Sequence, residues 1–400
     1  MIHLIPSHQS RPSDDPIFSL NREAVARKAK GDHIINATIG TLLDDDGTLS
    51  ILPTAARVVR EVPSAQWAPY APIAGDPAFL EAVQNDLFSS EPRLRASSVA
   101  VATPGGSGAL RHAIANFLEL GQALLTTSYF WEPYQTLASE GERKVATFAM
   151  FTEDGKLDVE ALDRAVGKQI EEQGRVLLIL NDPCHNPTGY SMSHDEWRRV
   201  VARLLPHAER APVTLLVDVA YAAYSAEPWN HLPELVPLLG KAGLLFSWSA
   251  SKTYTHYGLR VGALVACVPD ADARAATLAA LAFSSRGTWS NCNSGGLRAI
   301  ARLLSEPDLK AACDAEREVK RHLLARRVAV FNELAHAKHL PYPRYDGGFF
   351  VSVFTKQASE QAAKMRARGV YVVPITGALR VGLCAVAEKD IAELVDTLAS

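Results

Sequence analysis

The chain has 400 residues, of which 48% are hydrophobic, and a formal net charge of −3. This length and composition predict a globular protein of about two domains with a large apolar core. The small net charge gives no electrostatic reason to expect nucleic acid or an anionic membrane as a partner, and no apolar run approaches the ~20 residues of a membrane-spanning helix.

The cysteines and the N-terminus bear on where the protein works. The five cysteines are odd in number, scattered and without CxxC spacing, which argues against a disulfide framework and against a zinc site. Residues 1–6 lack the basic segment and the apolar core of a signal peptide. We therefore expect a soluble protein of the reducing cytoplasm that holds no metal.

In chain order, the first twenty residues carry Pro6, Pro12 and Pro16 among polar residues, which predicts an arm. From about residue 50 to 270, short apolar runs alternate with longer stretches that are compatible with helices. The runs are continuously apolar, as in strands covered on both faces, and they occupy residues 99–102, 123–126, 176–180, 213–217, 244–247 and 263–267. This pattern predicts an α/β domain with a largely parallel sheet.

The chain changes character after about residue 290. A long helical stretch, rich in Ala, Arg, Glu and Leu, covers residues 307–338, and a shorter one lies near 357–368. Apolar runs at 347–354, 370–373 and 379–383 predict strands. We therefore divide the chain into an N-terminal arm with part of a small domain (1–48), a large domain (49–290) and a small C-terminal α+β domain (291–400).

Polar residues follow several of the predicted strands, at the edge where open parallel sheets bind their ligands. After the run that ends at residue 102, segment 103–110 (Thr-Pro-Gly-Gly-Ser-Gly-Ala-Leu) opens a helix with glycines, a hydroxyl and free backbone N–H groups. Helix N-termini of this kind bind phosphate. Glycine-rich turns between a strand and a helix are also common without a ligand, so this turn alone does not decide.

Two further strands are followed by candidate cofactor ligands. Segment 181–189 is either a turn built from Asn, Pro and Gly or a site in which Asn186 bonds a ring oxygen. Asp218 ends the next apolar run, where an ionised carboxylate needs a partner. A protonated pyridinium nitrogen of a cofactor would be such a partner, and the carboxylate would keep that nitrogen protonated. Alternatively, Asp218 is the N-cap of a helix. Tyr221 either reaches the same ligand or packs in the core.

The segment around Lys252 carries the strongest chemical signal. Most lysines are solvated surface charges, but Lys252 follows an apolar run and is flanked by the hydroxyls of Ser249, Ser251 and Thr253. A lysine forms an imine with a carbonyl-bearing cofactor, and the planar fork of Arg260, eight residues later, suits a phosphate. Together they predict an enzyme that uses pyridoxal phosphate (PLP).

Three segments resemble the fold-type-I, PLP-dependent aminotransferases of class I and II: Asn186-Pro187-Thr188-Gly189, Asp218-Val219-Ala220-Tyr221, and Ser249-Ala250-Ser251-Lys252 with Arg260-Val261-Gly262. Segments 39–53, 184–189 and 286–291 are similar to the aspartate and aromatic aminotransferase branch. The resemblance covers roughly residues 30 to 390. It implies a large α/β domain with a mostly parallel seven-stranded sheet flanked by helices, a smaller α+β domain, and a homodimer with shared active sites.

The resemblance assigns three catalytic residues. Lys252 would bind the cofactor covalently and move the substrate proton, and Asp218 would pair with the ring nitrogen. Tyr221 would bond the ring hydroxyl oxygen together with Asn186. The expected reaction is the ping-pong transfer of an amino group between an L-amino acid and a 2-oxo acid.

The resemblance also implies which residues hold the cofactor and the substrate. Trp131 is favoured to stack on the cofactor ring, with Tyr129 as the alternative. Arg380 would clamp the substrate α-carboxylate, and Arg286 would read a distal carboxylate. The cofactor ligands are Gly106, Ser107, Trp131, Asn186, Asp218, Tyr221, Ser249, Lys252, Arg260 and, from the second subunit, Tyr70; the substrate ligands are Gly40, Asn186, Arg286 and Arg380.

The chain departs from the family pattern in the glycine-rich turn, and its substrate and reaction remain open. Gly105 stands where many relatives have a phosphate-binding serine. Arg286 favours dicarboxylic substrates, and aromatic ones remain open; its alternative role is a surface or interface salt bridge. Two other functions are compatible with the cofactor residues. The first is a different PLP reaction on the same scaffold, either β- or γ-elimination or amino-acid oxidation. The second is a non-catalytic PLP-sensing module of a transcription regulator, which the small net charge of the chain disfavours.

Overall fold

The computed structural model describes residues 3–12, 14–227 and 229–400. Twelve strands lie in this part of the chain. They are β1 (Ile35–Asn36), β2 (Ser98–Thr103), β3 (Ala123–Thr127), β4 (Lys144–Phe148), β5 (Val176–Asn181), β6 (Val213–Asp218), β7 (Gly243–Ser249), β8 (Gly262–Cys267), β9 (Val351–Phe354), β10 (Val370–Tyr371), β11 (Val373–Ile375) and β12 (Ala378–Val381).

Seven of these strands form one sheet in the order β2-β8-β7-β6-β5-β3-β4. The pairs β7–β6, β6–β5, β5–β3 and β3–β4 are parallel, and only β8 runs against its two neighbours. Every residue of β5, β6 and β8 is buried, as expected for strands covered on both faces. The predicted seven-stranded, mostly parallel α/β sheet is confirmed.

Sixteen α-helices flank the strands in the described part of the chain. They are α1 (Pro16–Ala29), α2 (Pro53–Glu61), α3 (Ser64–Trp67), α4 (Pro77–Leu87), α5 (Pro92–Ser97), α6 (Gly105–Phe117), α7 (Pro133–Glu140), α8 (Val159–Gln173), α9 (His194–Ala208), α10 (Leu232–Leu235), α11 (Ala250–Thr253), α12 (Ala271–Thr288), α13 (Ser294–Ser305), α14 (Pro307–Ala337), α15 (Ala358–Ala367) and α16 (Ile391–Leu398). None of these helices is both long and apolar enough to cross a membrane.

Alternate residues of the large sheet face two apolar layers. Leu178 and Leu215 belong to one layer, which also contains residues of α4, α8, α9 and α13; Leu177 and Leu216 belong to the other, which contains residues of α6 and α12. Period-two alternation in a strand produces this division because successive side chains point to opposite faces. The sheet is therefore packed between helices on both faces, and this packing fixes the positions of residues at the carboxyl ends of its strands.

A separate apolar cluster joins the three-stranded antiparallel sheet β11-β12-β9 to α15, α16 and the second half of α14. Strand β1 pairs with β10, so the N-terminal segment packs with this C-terminal cluster. Helix α13 belongs to the core of the large sheet and contacts α2 and α4. The domain boundary that we placed at residue 290 stays a prediction.

Several elements differ from the sequence expectations: β1 was not predicted, and the run expected at 370–373 is divided between β10 and β11. Helix α1 begins at Pro16, inside the predicted arm, because the Asp15 carboxylate accepts the N–H groups of Ile17 and Phe18. The strand expected at 347–354 is shortened to β9, since residues 347–350 carry two glycines, of which Gly348 has φ +87°. Strand β4 was not predicted; it is an edge strand with one fully buried residue, Phe148, and lacks the continuous apolar character of its neighbours.

Candidate active site

A cavity of about 310 Å³ opens beyond the carboxyl ends of the large sheet. Asn181 and Asp218, the last residues of β5 and β6, are in register with each other and with Ser247, two residues before the end of β7, so polar residues at this edge converge. The cavity brings together most of the predicted cofactor ligands: Gly106, Ser107, Trp131, Asn186, Asp218, Tyr221, Ser249, Lys252 and Arg260. Its volume lies within the range of small-molecule sites.

One end of the cavity is built for an anion. Helix α6 begins there with Gly105 and presents its first-turn N–H groups, and Arg260 lies beside it with a guanidinium that donates to the Pro104 carbonyl at 3.3 Å. Gly105 has φ +70°, and a Cβ at this position would lie 2.4 Å from Arg260 Nη2. The glycine that departs from the family pattern thus leaves room for the arginine. A helix N-terminus and an arginine together suit a phosphate.

The amine of Lys252 lies in the middle of the cavity wall. Ser249 caps the short helix α11, which carries Lys252 directly after β7. The ammonium nitrogen lies 4.9 Å from the ring centroid of Tyr257 and 5.8 Å from that of Tyr221. Burial lowers the pKa of Lys252 to about 8, because a charged amine is poorly solvated there. A substantial neutral fraction near neutral pH makes this amine a competent nucleophile and base.

Asp218 is buried at the end of β6, opposite the anion end. It accepts hydrogen bonds from the Tyr134 hydroxyl at 3.3 Å and from the Ala220 N–H at 3.3 Å, and the Ser247 hydroxyl also faces it. Burial nevertheless raises the pKa of Asp218 to about 6. A carboxylate in this position gains free energy from a cationic partner, and a protonated ring nitrogen provides one.

Asn186 and Tyr221 meet above the sheet between these two ends. The side-chain amide of Asn186 donates to the Tyr221 hydroxyl at 3.3 Å, and the Asn186 N–H donates to the Asn181 side-chain oxygen at 2.7 Å. Asn181 in turn donates from its amide nitrogen to the Asp218 carbonyl at 2.8 Å. The loop after β5 is therefore fixed to β6, and two hydrogen-bonding groups are held at one point of the cavity wall.

Trp131 and Tyr129, the two candidates for stacking on the cofactor, occupy different places. Trp131 lines the cavity and packs edge-on against Tyr134, with ring centroids 5.8 Å apart. Tyr129 packs instead against Phe151 and Phe354, with centroids 6.2 and 5.5 Å away. The geometry favours Trp131 as the aromatic wall.

Arg380 and Gly40 do not line the cavity themselves but lie around the ring of Phe350, which packs edge-on against Tyr221 of the cavity wall with ring centroids 6.0 Å apart. The guanidinium of Arg380 is 4.7 Å from the Phe350 centroid and donates to the Thr38 carbonyl. A Cβ on Gly40 would lie 2.6 Å from the same ring. Arg380 is buried, and its Nε has no hydrogen-bond partner among the described residues. An unsatisfied buried donor of this kind is expected where a ligand completes the site.

Tyr70 and Arg286 are not among the described residues that line the cavity. Tyr70 is 90% exposed, and Arg286 lies in the last exposed turn of α12, where it donates to the Ser290 hydroxyl. Near these two segments in the sequence, the Ser294 hydroxyl donates to the Gln66 carbonyl at 3.2 Å, which joins the start of α13 to α3. Within one copy of the chain, these two predicted ligands do not reach the site.

Buried contacts fix the helix end that carries Arg286. His112 in α6 lies 2.9 Å from the Ser285 hydroxyl and stacks on Trp289, with ring centroids 4.4 Å apart. Burial lowers the pKa of His112 to about 4, so the imidazole is neutral at physiological pH. The helix that opens at the anion end of the cavity therefore also holds the Arg286 turn.

Sequence reasoning missed Tyr134 and Ser247, which contact Asp218. Tyr134 is fully buried three residues after Trp131, at the start of α7. Its position after Pro133, a favoured first residue of a helix, was the available signal, because the first turn then points back at the edge of the sheet. Ser247 lies inside an apolar strand, where only the register with Asp218 reveals its role.

These residues fit PLP. At one end of the cavity, N–H donors and Arg260 can bind an anion, and at the other end the Asp218 carboxylate can pair with a cation. Between them lie the aromatic side chain of Trp131 and the Lys252 amine, whose pKa is lowered. Gly106 lets the start of α6 lie close to the end of β7, because a Cβ at this position would lie 3.3 Å from the Ser247 hydroxyl and 3.5 Å from Ser249 Cβ. A flat aldehyde with a phosphate and a ring nitrogen matches this set of groups.

Comparison with known proteins agrees with this chemistry. The family model of aminotransferase class I and II matches residues 32–398. An aromatic-amino-acid aminotransferase of Pseudomonas aeruginosa is 32% identical over 292 residues, which cover 68% of each chain, and an aspartate aminotransferase of the same organism is 29% identical over 80% of each chain. The crystal structure of an aminotransferase from Anaerococcus prevotii superposes with a TM-score of 0.94 at 31% identity, over 100% of this chain and 99% of that one.

The family match spans nearly the whole chain, and the site contains the groups that the family's cofactor requires. The fold, the cavity and the relatives therefore agree on one class of enzyme. The chain belongs to the class I and II aminotransferases and is a PLP-dependent transaminase of amino acids.

Proposed function

We propose that this transaminase works by a ping-pong mechanism centred on Lys252 and that it acts on dicarboxylic and/or aromatic L-amino acids. The observation that carries the proposal is that the Lys252 amine, whose pKa is lowered, and the buried Asp218 carboxylate, whose pKa is raised, line the same cavity. Pairs of titratable groups whose surroundings shift their pKa values toward neutrality are typical of active sites.

PLP, when bound, supplies the electron sink that stabilises a carbanion at the substrate Cα. Lys252 Nζ would hold the cofactor between turnovers, and the free amine would take up the proton of the substrate Cα and release it again during amino transfer. Its pKa near 8 supports both roles, because a base near neutrality exchanges protons in either direction. Asp218 holds the proton on the ring nitrogen, and the Tyr134 hydroxyl keeps the carboxylate oriented.

The remaining ligands orient the cofactor and the substrate. Gly106 and Ser107, in the first turn of α6, would hold the phosphate together with Ser249 and Arg260, which line the same cavity. Trp131 would cover one face of the ring, and Asn186 and Tyr221, whose side chains meet at 3.3 Å, would bond its hydroxyl oxygen. Arg380 pairs with the substrate α-carboxylate near the Gly40 backbone, which is supported by its burial and its unsatisfied Nε.

A homodimer completes the site in this proposal. Tyr70 and Phe283 are 90% and 82% exposed, and large exposed aromatic side chains support an interface. A second copy related by two-fold symmetry would bring its own Tyr70 and Arg286 to this cavity.

We also propose a cytoplasmic location. All five cysteines, at positions 184, 267, 292, 313 and 384, are buried and unpaired. Unpaired thiols are typical of proteins that work in a reducing compartment.

The proposed reaction is tested by product analysis. The purified protein with PLP should convert L-aspartate and a 2-oxo acid into equimolar new amino acid and new oxo acid, with parallel lines in a double-reciprocal plot. Release of ammonia without any requirement for an added oxo acid would contradict amino transfer and favour elimination or oxidation on the same scaffold.

Arg286→Leu should lower kcat/KM for aspartate by roughly 10–100-fold, the loss expected when a charged, bidentate hydrogen-bonding pair is removed. The value for tyrosine should change less than about twofold, because its side chain lacks a carboxylate. Arg286→Lys is the matched control and should fall between the two, since lysine keeps the charge without the fork. An unchanged preference for aspartate over tyrosine in Arg286→Leu would show that Arg286 does not recognise the substrate.

The shared site is tested by mixing two defective variants. Lys252→Met lacks the reactive amine, and Arg286→Leu lacks the proposed distal ligand. If each site takes Lys252 from one copy and Arg286 from the other, refolding an equimolar mixture should restore about a quarter of wild-type aspartate activity in random hybrids. A mixture no more active than the average of its two components would contradict shared sites.

A further inference from the structure

The segment that follows Lys252 holds both ends of loop 42–52. The backbone N–H of Leu42 donates to the Tyr257 hydroxyl at 2.9 Å, and the N–H of Leu52 donates to the Thr255 hydroxyl at 3.2 Å. These two bonds join positions about 200 residues apart in sequence. Gly40, the proposed neighbour of the substrate carboxylate, lies two residues before Leu42, so the first bond fixes the backbone next to the substrate.

Tyr257 also contacts two residues that line the cavity. Its carbonyl accepts a hydrogen bond from Arg260 Nη1 at 2.9 Å, and its ring lies 4.9 Å from Lys252 Nζ. Arg260 additionally donates to the Ser251 hydroxyl at 3.3 Å and has φ +55°. A non-glycine residue in the left-handed region is held there by its surroundings. One residue therefore contacts the proposed phosphate ligand through its carbonyl, the reactive lysine through its ring and the substrate loop through its hydroxyl.

We propose that Tyr257 is a positioning residue that links the anion end of the cofactor site to loop 42–52, so that a cofactor seated at Arg260 stabilises the substrate loop through the Tyr257–Leu42 hydrogen bond. This inference rests on the proposed roles of Arg260 and Gly40. The link is short and continuous: guanidinium, Tyr257 carbonyl, Tyr257 hydroxyl and Leu42 N–H. The first and last steps are hydrogen bonds, and the middle step is the covalent frame of Tyr257 itself, so the two ends are joined by one residue.

Tyr257→Phe tests the link because it removes one hydroxyl and keeps the ring beside Lys252. Hydrogen exchange of the Leu42 amide should become about tenfold faster in the cofactor-free variant, since a buried donor loses its acceptor. In the wild type, added PLP should slow this exchange further. In Tyr257→Phe, PLP should bind with unchanged affinity, measured by absorbance titration, but should leave Leu42 exchange unaltered. KM for the amino acid should rise about five- to tenfold, with kcat within twofold.

The matched control is Tyr224→Phe. Tyr224 is also buried beside the site, but its hydroxyl has no hydrogen-bond partner among the described residues. Leu42 exchange and KM should therefore stay at their wild-type values in this variant. A general loosening of the fold by Tyr257→Phe would raise exchange throughout the chain and lower the melting temperature, which would overturn the specific link.

The outcomes separate this inference from the proposed function. Absence of amino transfer in the wild type would remove the proposed function, yet the exchange at Leu42 would still report on Tyr257. Normal transamination together with equal Leu42 protection by PLP in wild type and Tyr257→Phe would overturn the link alone. An unchanged KM in Tyr257→Phe would likewise overturn it, because the substrate loop would then be positioned by other contacts.

Discussion

Replacing Lys252 by methionine is expected to abolish amino transfer, with kcat falling by at least about 10⁴-fold. The change removes both the covalent attachment and the base, and general base catalysis alone contributes up to about 10⁴-fold. Methionine keeps an unbranched apolar stem of similar length beside Tyr257 and Tyr221. Steady-state kinetics with aspartate and with tyrosine measure the loss; residual activity above about 1% of wild type would contradict the role of Lys252.

The same variant should be more stable than the wild type when no cofactor is present. Burial lowers the pKa of Lys252 from 10.5 to about 8, which corresponds to about 3 kcal/mol of unfavourable free energy in the charged form. The folded wild type bears this penalty fully below pH 8, and it fades as the pH rises from 8 to 10.5. Urea unfolding should show that Lys252→Met has a higher free energy of unfolding than the wild type at pH 7 and that this difference is smaller at pH 10. The control Lys241→Met, at an exposed position, should show no such difference.

Asp218→Asn is expected to lower kcat by about 10²–10³-fold, the range for loss of one preorganised electrostatic contact. Asparagine cannot pair with a protonated ring nitrogen, so the cofactor withdraws electrons less strongly. PLP should also bind more weakly, as measured by absorbance titration. Tyr134→Phe, which keeps the carboxylate and removes one donor, should cost only a few-fold in kcat. Equal losses in the two variants would contradict this division of roles.

The pH dependence of stability checks the environment of Asp218 independently. Burial raises its pKa from 3.8 to about 6 in the cofactor-free protein. The protonated form is favoured in the folded state, so the associated stability is complete below pH 3.8 and is lost as the pH rises through 6. At pH 7, cofactor-free Asp218→Asn should exceed the wild type by up to about 3 kcal/mol in the free energy of unfolding. A variant that is less stable than the wild type at pH 7 would contradict the unfavourable burial of the carboxylate.

Much of the site was predictable because parallel strands place their carboxyl ends at one edge. The apolar runs at 176–180, 213–217 and 244–247 coincide with β5, β6 and β7, and the polar residue at the end of each is in register with the next. The lysine, the aspartate and the asparagine could therefore be grouped from the sequence alone. The identification of Arg380 and Gly40 depended on family resemblance, since their segments meet through long-range contacts: the ring of Phe350, the hydrogen bond from Arg380 to the Thr38 carbonyl and the pairing of β12 with β9.

Contacts across the chain could not be predicted in the same way. Tyr257 reaches Leu42 across 215 positions of sequence, and Tyr134 reaches Asp218 across 84. Neither contact leaves a periodic pattern, because each depends on how a short helix packs against a loop or a strand end. The assignments of Tyr70 and Arg286 depend on a second copy of the chain, so no property of one chain's own fold brings them to the cavity.

The most direct test of the central claim is the absorption spectrum of the PLP-loaded protein before and after addition of L-aspartate without any oxo acid. The account predicts a visible band from the cofactor bound at Lys252, absent in Lys252→Met, which bleaches as the amino group is transferred and returns when an oxo acid is added. A wild-type protein that shows no such band even with excess PLP would contradict the assignment of Lys252 and of the cavity around it.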